Sequence, residues 1–254
     1  MSIVPSTAII GGSGLYGLSS SDSPPAYKEV KTPYSSKPIE LALEKVDQEQ
    51  VWFIPRHGKE HSIPPHLINY RANLWALKEA NVKNIIAVNA VGGITAKMAP
   101  GQIVIPDQIL DYTWGREHTY FDGLNSLHNH IDFTWPYDKS LNQIVTTAAR
   151  HLNLSIINSG VYACTQGPRL ETAAEIIKLH SDGADVVGMT GMPEAALARE
   201  LGIAYTSLAL VVNWGAGLSD EALSIAEIKK VLAEGLSDVR KIIFASLPEL
   251  NALP

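Results

Sequence analysis

Residues 84–93 read Asn84-Ile85-Ile86-Ala87-Val88-Asn89-Ala90-Val91-Gly92-Gly93. The first half, Asn84 to Val88, is a short apolar run without polar alternation. Such a run is a strand buried on both faces, as in a sheet with helices on either side. The second half, Asn89 to Gly93, reads as a loop after that strand. Its two glycines let backbone N–H groups come close to a ligand.

Six other stretches repeat the strand pattern: Thr7 to Ile10, Val51 to Ile54, Gln102 to Pro106, Val161 to Cys164, Asp185 to Gly188 and Ile203 to Val212. Helical spacing fills the gaps. Tyr70, Leu74 and Leu77 share one helix face, and so do Ile144, Ala148 and Leu152. Pro193-Glu194 opens a further helix, with Gly202 near its end. Ser224 stands three residues before Glu227, a capping box for a last helix whose buried face starts at Ile228, Val231 and Leu232. Ser19 to Lys37, Gly115 to Pro136 and Trp214 to Asp220 read as loops. Alternating strands and helices predict an α/β layer fold. No linker, repeat or low-complexity stretch divides the 254 residues, so a single domain over 1–254 is expected.

Composition narrows the function classes. Acidic residues number 26 against 20 basic ones, a net charge of −6 with no Lys/Arg run, which argues against a nucleic-acid partner. No apolar segment approaches the roughly 18–20 residues of a membrane span. The N-terminus lacks the basic stretch and long apolar run of a signal peptide. Cys164 is the single cysteine, so no intrachain disulfide forms. A cytoplasmic protein is expected. With no recognisable activating partner, Cys164 reads as a small buried hydrophobe.

In α/β sheets, ligands bind at the carboxyl ends of strands. Four polar clusters fall there. Gly11-Gly12-Ser13-Gly14 offers backbone donors and a hydroxyl to an oxyanion, or is simply a tight turn; it is neither a P-loop nor GxGxxG. Pro55-Arg56-His57-Gly58-Lys59-Glu60-His61 presents an Arg fork suited to two phosphate oxygens. The alternatives for this cluster are a solvated turn or a metal site of His57, His61 and His66, for which the spacing is wrong and no carboxylate set is evident. Asn89 to Gly93 is the third cluster. Met189-Thr190-Gly191-Met192-Pro193 sets a hydroxyl before a helix, a place that suits phosphate. Together they describe an anion site needing no metal.

These motifs, in order, together with Asn69-Tyr70-Arg71-Ala72-Asn73 and Gly167-Pro168-Arg169, resemble the trimeric purine nucleoside phosphorylase and methylthioadenosine phosphorylase family. The likeness runs from Ala8 to about Phe244, and is greatest to the bacterial S-methyl-5′-thioinosine phosphorylases. It implies a single-domain mixed central sheet with a barrel-like distortion, flanked by helices. It implies inorganic phosphate as co-substrate, no cofactor, phosphate contacts from Ser13, Arg56, His57, Ala90 and Thr190, and Met189 against the ribose. It also implies a homotrimer, with His130 or its neighbours reaching the adjacent subunit's site.

The same resemblance bears on the base. Members that cleave 6-aminopurines have an Asp at the position of Asn213 and a second at that of Gly215. The Asn213 amide can donate to purine N7 and to a 6-keto oxygen, and cannot ionise. Glu171, beside Leu170, matches a residue that accepts the N1–H of a 6-oxopurine. No His stands near the expected 5′ end of the sugar; Ile225 would face a methylthio group there. The expected reaction is therefore phosphorolysis of S-methyl-5′-thioinosine, with Asn213, His57 and Arg56 as the catalytic groups. Methylthioadenosine, or inosine and guanosine, are the alternative substrates.

Overall fold

The computed structural model describes residues 5–15, 17–18, 25–121, 130–219 and 224–253. Strand β1 (Thr7–Gly11) is followed by β2 (Ala26–Thr32), β3 (Ser35–Val46), β4 (Glu49–Pro55) and helix α1 (Tyr70–Glu79). Then come β5 (Asn84–Gly93), β6 (Ile103–Val104), β7 (Gln108–Tyr112), α2 (Lys139–His151), β8 (Ile156–Ile157) and β9 (Val161–Thr165). The chain closes with α3 (Ala173–Ser181), β10 (Val186–Gly188), α4 (Glu194–Glu200), β11 (Ala204–Trp214) and α5 (Ile225–Asn251).

The strands form one mixed sheet in the order β2-β3-β4-β1-β5-β10-β9-β7, and β11, β6 and β8 branch from β5. The branching comes from β5, which is parallel to β11 from Asn84 to Gly93. On its other edge, β5 pairs with β1 from Asn84 to Ala87, and then antiparallel with β10 at Gly92 and Gly93. The sheet thus splits between Ala87 and Gly92.

Both faces of β5 are buried, as its composition requires. Ile85, Ala87 and Val91 pack with Tyr70, Leu74 and Leu77 of α1 and with Ala195 and Leu197 of α4. Ile86 and Val88 pack on the other side with Leu141, Ile144 and Val145 of α2 and Val239, Ile242 and Ile243 of α5. β11 repeats the division: Ala209 and Val211 face the first cluster, Leu208, Leu210 and Val212 the second.

Several expectations need correction. Asn89 to Gly93 is strand, not loop, because β11 pairs with it to the end. Ser19 to Lys37 is not all loop: β2 and the start of β3 form a hairpin there, and 19–24 lie outside the described residues. β2 is a mostly exposed edge strand, so its sequence has no apolar alternation to mark it. β7 and β8 also escape the pattern, and Gln102 to Pro106 shrinks to β6. Trp214 ends β11 rather than starting a loop. Leu152 caps α2 and is exposed, leaving Ile144 and Ala148 as its buried pair. In α5, Ile228, Val231 and Leu232 are half-buried, and full burial starts at Leu236.

Candidate active site

The split in the sheet creates the site. Between the last pair with β1 and the first with β10, residues 88–91 of β5 have no strand beside them on one edge. The carbonyl of Val88 faces that edge and accepts Nη1 of Arg56 at 2.8 Å. Backbone groups alternate along a strand, so the N–H of Ala90 faces the same gap. A cavity of about 190 Å³ opens there, lined among others by Ser13, Arg56, His57, Ala90, Leu170, Glu171, Met189, Thr190 and Asn213. Nine expected residues from six stretches of chain therefore share one cleft.

Backbone geometry brings the anion side together. β1 ends at Gly11, whose carbonyl accepts the N–H of Arg56 at 3.0 Å. A Cβ at Gly12 would sit 2.3 Å from the Val88 oxygen and 3.1 Å from Arg56 Nη1, so only glycine lets the Ser13 loop lie this close. Arg56 is buried and gives Nε to Glu194 Oε2 at 2.8 Å and Nη2 to Oε1 at 2.6 Å. With the bond to Val88, three of a guanidinium's five N–H donors are engaged. Burial alone would weaken the charged guanidinium, but the Glu194 carboxylate more than offsets this and holds its pKa up.

His57 gives Nδ1 to the Ile63 carbonyl at 2.8 Å, while the Ile63 N–H donates back to the His57 carbonyl at 3.1 Å. Burial, reinforced by the nearby Arg56 charge, pushes the imidazole down to about 4. His57 is therefore neutral at neutral pH, with its proton on Nδ1 and an acceptor lone pair on Nε2. His57, a phosphate contact by the resemblance, thus brings a neutral ring to the site. Ser13 Oγ lies 3.5 Å from Nε2 of His61, whose ring packs on that of His57.

On the base side, Glu171 Oε1 accepts the Thr165 hydroxyl at 2.7 Å. Asn213 lies within β11 rather than after it. Opposite Val91 and Gly92 stand Val211 and Asn213, so Val212 is the extra residue of a β-bulge. In a regular strand neighbours face opposite sides; here Val212 and Asn213 both line the cavity. The Asn213 amide N–H donates to the Trp214 carbonyl at 2.6 Å, fixing its direction.

One expected residue does not join them, and the side chain of another lies outside the described residues. His130 is exposed and does not line the cavity of its own chain. Ile225 opens α5, and its side chain lies outside the described residues. One turn later, Ile228 does line the cavity. Cys164 is fully buried, bonded through Sγ to the backbone of Met192, and burial pushes its thiol up to about 12, as an inert core residue requires.

Sequence reasoning missed several supporting groups. Glu194 had been read only as a helix start. Arg116 sits in a segment that reads as loop, and no local pattern marks it. It is buried and binds the carbonyls of Met192, Thr165 and Gln166 at 2.5, 3.2 and 2.9 Å, which ties the base-side loop to the start of α4.

Comparison with known proteins places the chain in a family. The phosphorylase superfamily matches residues 6–248. The chain belongs to the phosphorylase superfamily. It is thus an enzyme of the nucleoside phosphorylase type, a pentosyltransferase. This phosphorylase is 49% identical over 237 residues, 92% of its length and 94% of the relative's, to a probable S-methyl-5′-thioinosine phosphorylase of Pseudomonas syringae pv. tomato. It is 46% identical over 250 residues, 96% of its length and 93% of the relative's, to the 6-oxopurine nucleoside phosphorylase of Pyrococcus furiosus. Among solved structures, the methylthioadenosine phosphorylase of Schistosoma mansoni in complex with adenine superposes with a TM-score of 0.91 at 30% identity, covering 98% of this phosphorylase and 93% of that chain. The mixed sheet flanked by helices is the fold they share.

Proposed function

We propose that this phosphorylase cleaves S-methyl-5′-thioinosine with inorganic phosphate, giving hypoxanthine and 5-methylthioribose-1-phosphate. The observation that supports this is the pairing of Asn213 and Glu171 in the cavity that also holds Ser13, Arg56, His57, Ala90 and Thr190. The amide N–H that Trp214 does not take can donate to the N7 or 6-keto acceptor of an oxopurine, and the carboxylate can accept its N1–H. Neutral adenine has no N1–H, and each mismatched buried group costs about 1–3 kcal/mol.

The phosphate lies under the sugar, against the Ser13 loop, the remaining Arg56 donors, the Ala90 N–H and the Thr190 hydroxyl. Its charge stabilises the oxocarbenium-like transition state at the anomeric carbon. Asn213 stabilises the charge that grows on the departing base, and Leu170 and Glu171 orient it. Met189 lies against the ribose. Ile228 forms the apolar wall for a thioether, where an unpaired hydroxyl would be disfavoured. No metal and no cofactor takes part. A cytoplasmic homotrimer, with His130 serving the neighbouring subunit's cleft, completes the reading.

The names of relatives support the base preference: a probable methylthioinosine phosphorylase and a 6-oxopurine enzyme. Rates for methylthioinosine, methylthioadenosine, inosine and guanosine, with and without phosphate, test the proposal. Methylthioinosine should be cleaved fastest, and only with phosphate. Faster cleavage of methylthioadenosine, or turnover indifferent to phosphate, would overturn it.

A further inference from the structure

Three polar side chains stand in line at the anion side of the cleft: Asn89 and Thr190 line the cavity, and Ser207 stands behind Asn89. Ser207 on β11 gives its hydroxyl to Asn89 Oδ1 on β5 at 2.7 Å, and Asn89 Nδ2 donates to the Thr190 hydroxyl oxygen at 2.8 Å. All three are buried, Ser207 and Asn89 at 2% exposure within largely apolar strands. Polar groups in such strands lose solvation and bring no packing gain, so their retention points to a task.

The direction of the bonds supplies one. The Ser207 hydroxyl donates to the amide oxygen, which leaves the amide nitrogen toward Thr190. The Thr190 oxygen then accepts, and its only proton is left to donate elsewhere. Thr190 lines the cavity. We propose that Ser207 and Asn89 are positioning residues for the phosphate arm of the reaction: they hold the Thr190 hydroxyl as a donor toward the anion. With the amide reversed, Asn89 would accept that proton and turn a lone pair toward the anion. This inference rests on the reading of the cavity as a phosphate site.

The test is a double-mutant cycle on the full-length enzyme, read as KM for phosphate at saturating nucleoside and KM for nucleoside at saturating phosphate. Thermal melting confirms that each variant is folded. Thr190→Val removes the donor and should raise the phosphate KM by about tenfold or more, as expected for a hydrogen bond to a charged group. Ser207→Ala should raise it by about three- to tenfold and leave the nucleoside KM unchanged. The Ser207→Ala/Thr190→Val double variant should be no worse than Thr190→Val alone, because the line of bonds acts only through that hydroxyl.

Independent, multiplying effects of Ser207→Ala and Thr190→Val would overturn the inference. So would a Ser207→Ala variant that shifts both KM values equally, or neither. A parent enzyme whose turnover ignores phosphate would instead overturn the functional reading beneath it, so the two failures are distinguishable.

Discussion

Arg56 and Glu194 form a two-pronged ion pair, 2.8 and 2.6 Å long, with both side chains at 1% exposure and Tyr205 Oη donating to the same carboxylate at 2.9 Å. The pair cancels its own charge. The anion side of the cleft therefore presents oriented N–H and O–H donors rather than a net positive charge, and Arg56 cannot swing away from its place.

Breaking this pair from one side leaves a buried charge alone. Glu194→Ala is expected to lose about 3–5 kcal/mol of stability, measured by urea unfolding. An Arg56→Met/Glu194→Leu double variant removes both charges and should regain most of that loss, yet remain inactive with phosphate. A single variant as stable as the parent would show that the pair does not behave as buried.

Asn213 reaches the base because of the bulge at Val212. Asn213→Asp keeps the shape and replaces an N–H donor by an ionisable oxygen. The ratio of kcat/KM for methylthioadenosine over methylthioinosine should rise by about tenfold or more. An unchanged ratio would remove Asn213 from base selection.

The bulge also shows where sequence reading stops. Ser13, Arg56 and Thr190 could be named from their place after apolar strands, because ligand groups gather at strand ends, whereas Asn213 could be named only from the family resemblance. Their partners could not. Glu194, Asn89 and Ser207 lie 138, 101 and 118 residues from the groups they bond. No local period records such a contact, since it depends on which strands become neighbours. The Asn89 to Gly93 segment was misread for the same reason: two glycines mark a loop locally, but pairing with β11 keeps them extended.

Among the described side chains of α5, Ile228 lines the cleft. If it faces the 5′ substituent, Ile228→Ser trades apolar contact for a hydroxyl. Burying a side chain of this size contributes about 1.5–3 kcal/mol, so the preference for methylthioinosine over inosine should fall by about tenfold. Competing-substrate assays read this directly, and equal losses on both nucleosides would place Ile228 away from the 5′ end.

His57 makes the fold sensitive to acid in a definite window. Its folded pKa is pushed down to about 4, by burial first and by Arg56 second, whereas an unfolded His titrates near about 6.5. Between these values the unfolded chain binds more protons, so the contribution is fully present above about 6.5 and is lost as pH falls toward about 4. Its size should be on the order of 2 kcal/mol, because the ring keeps some contact with solvent. His57→Gln cannot titrate and should shed this dependence. Urea unfolding of both proteins at pH values of about 7.5, 6 and 5 should show the parent losing stability faster, so that the variant's deficit narrows as pH falls. A deficit constant across that range would mean that His57 titrates normally in the folded chain and is open to water rather than held behind the anion site.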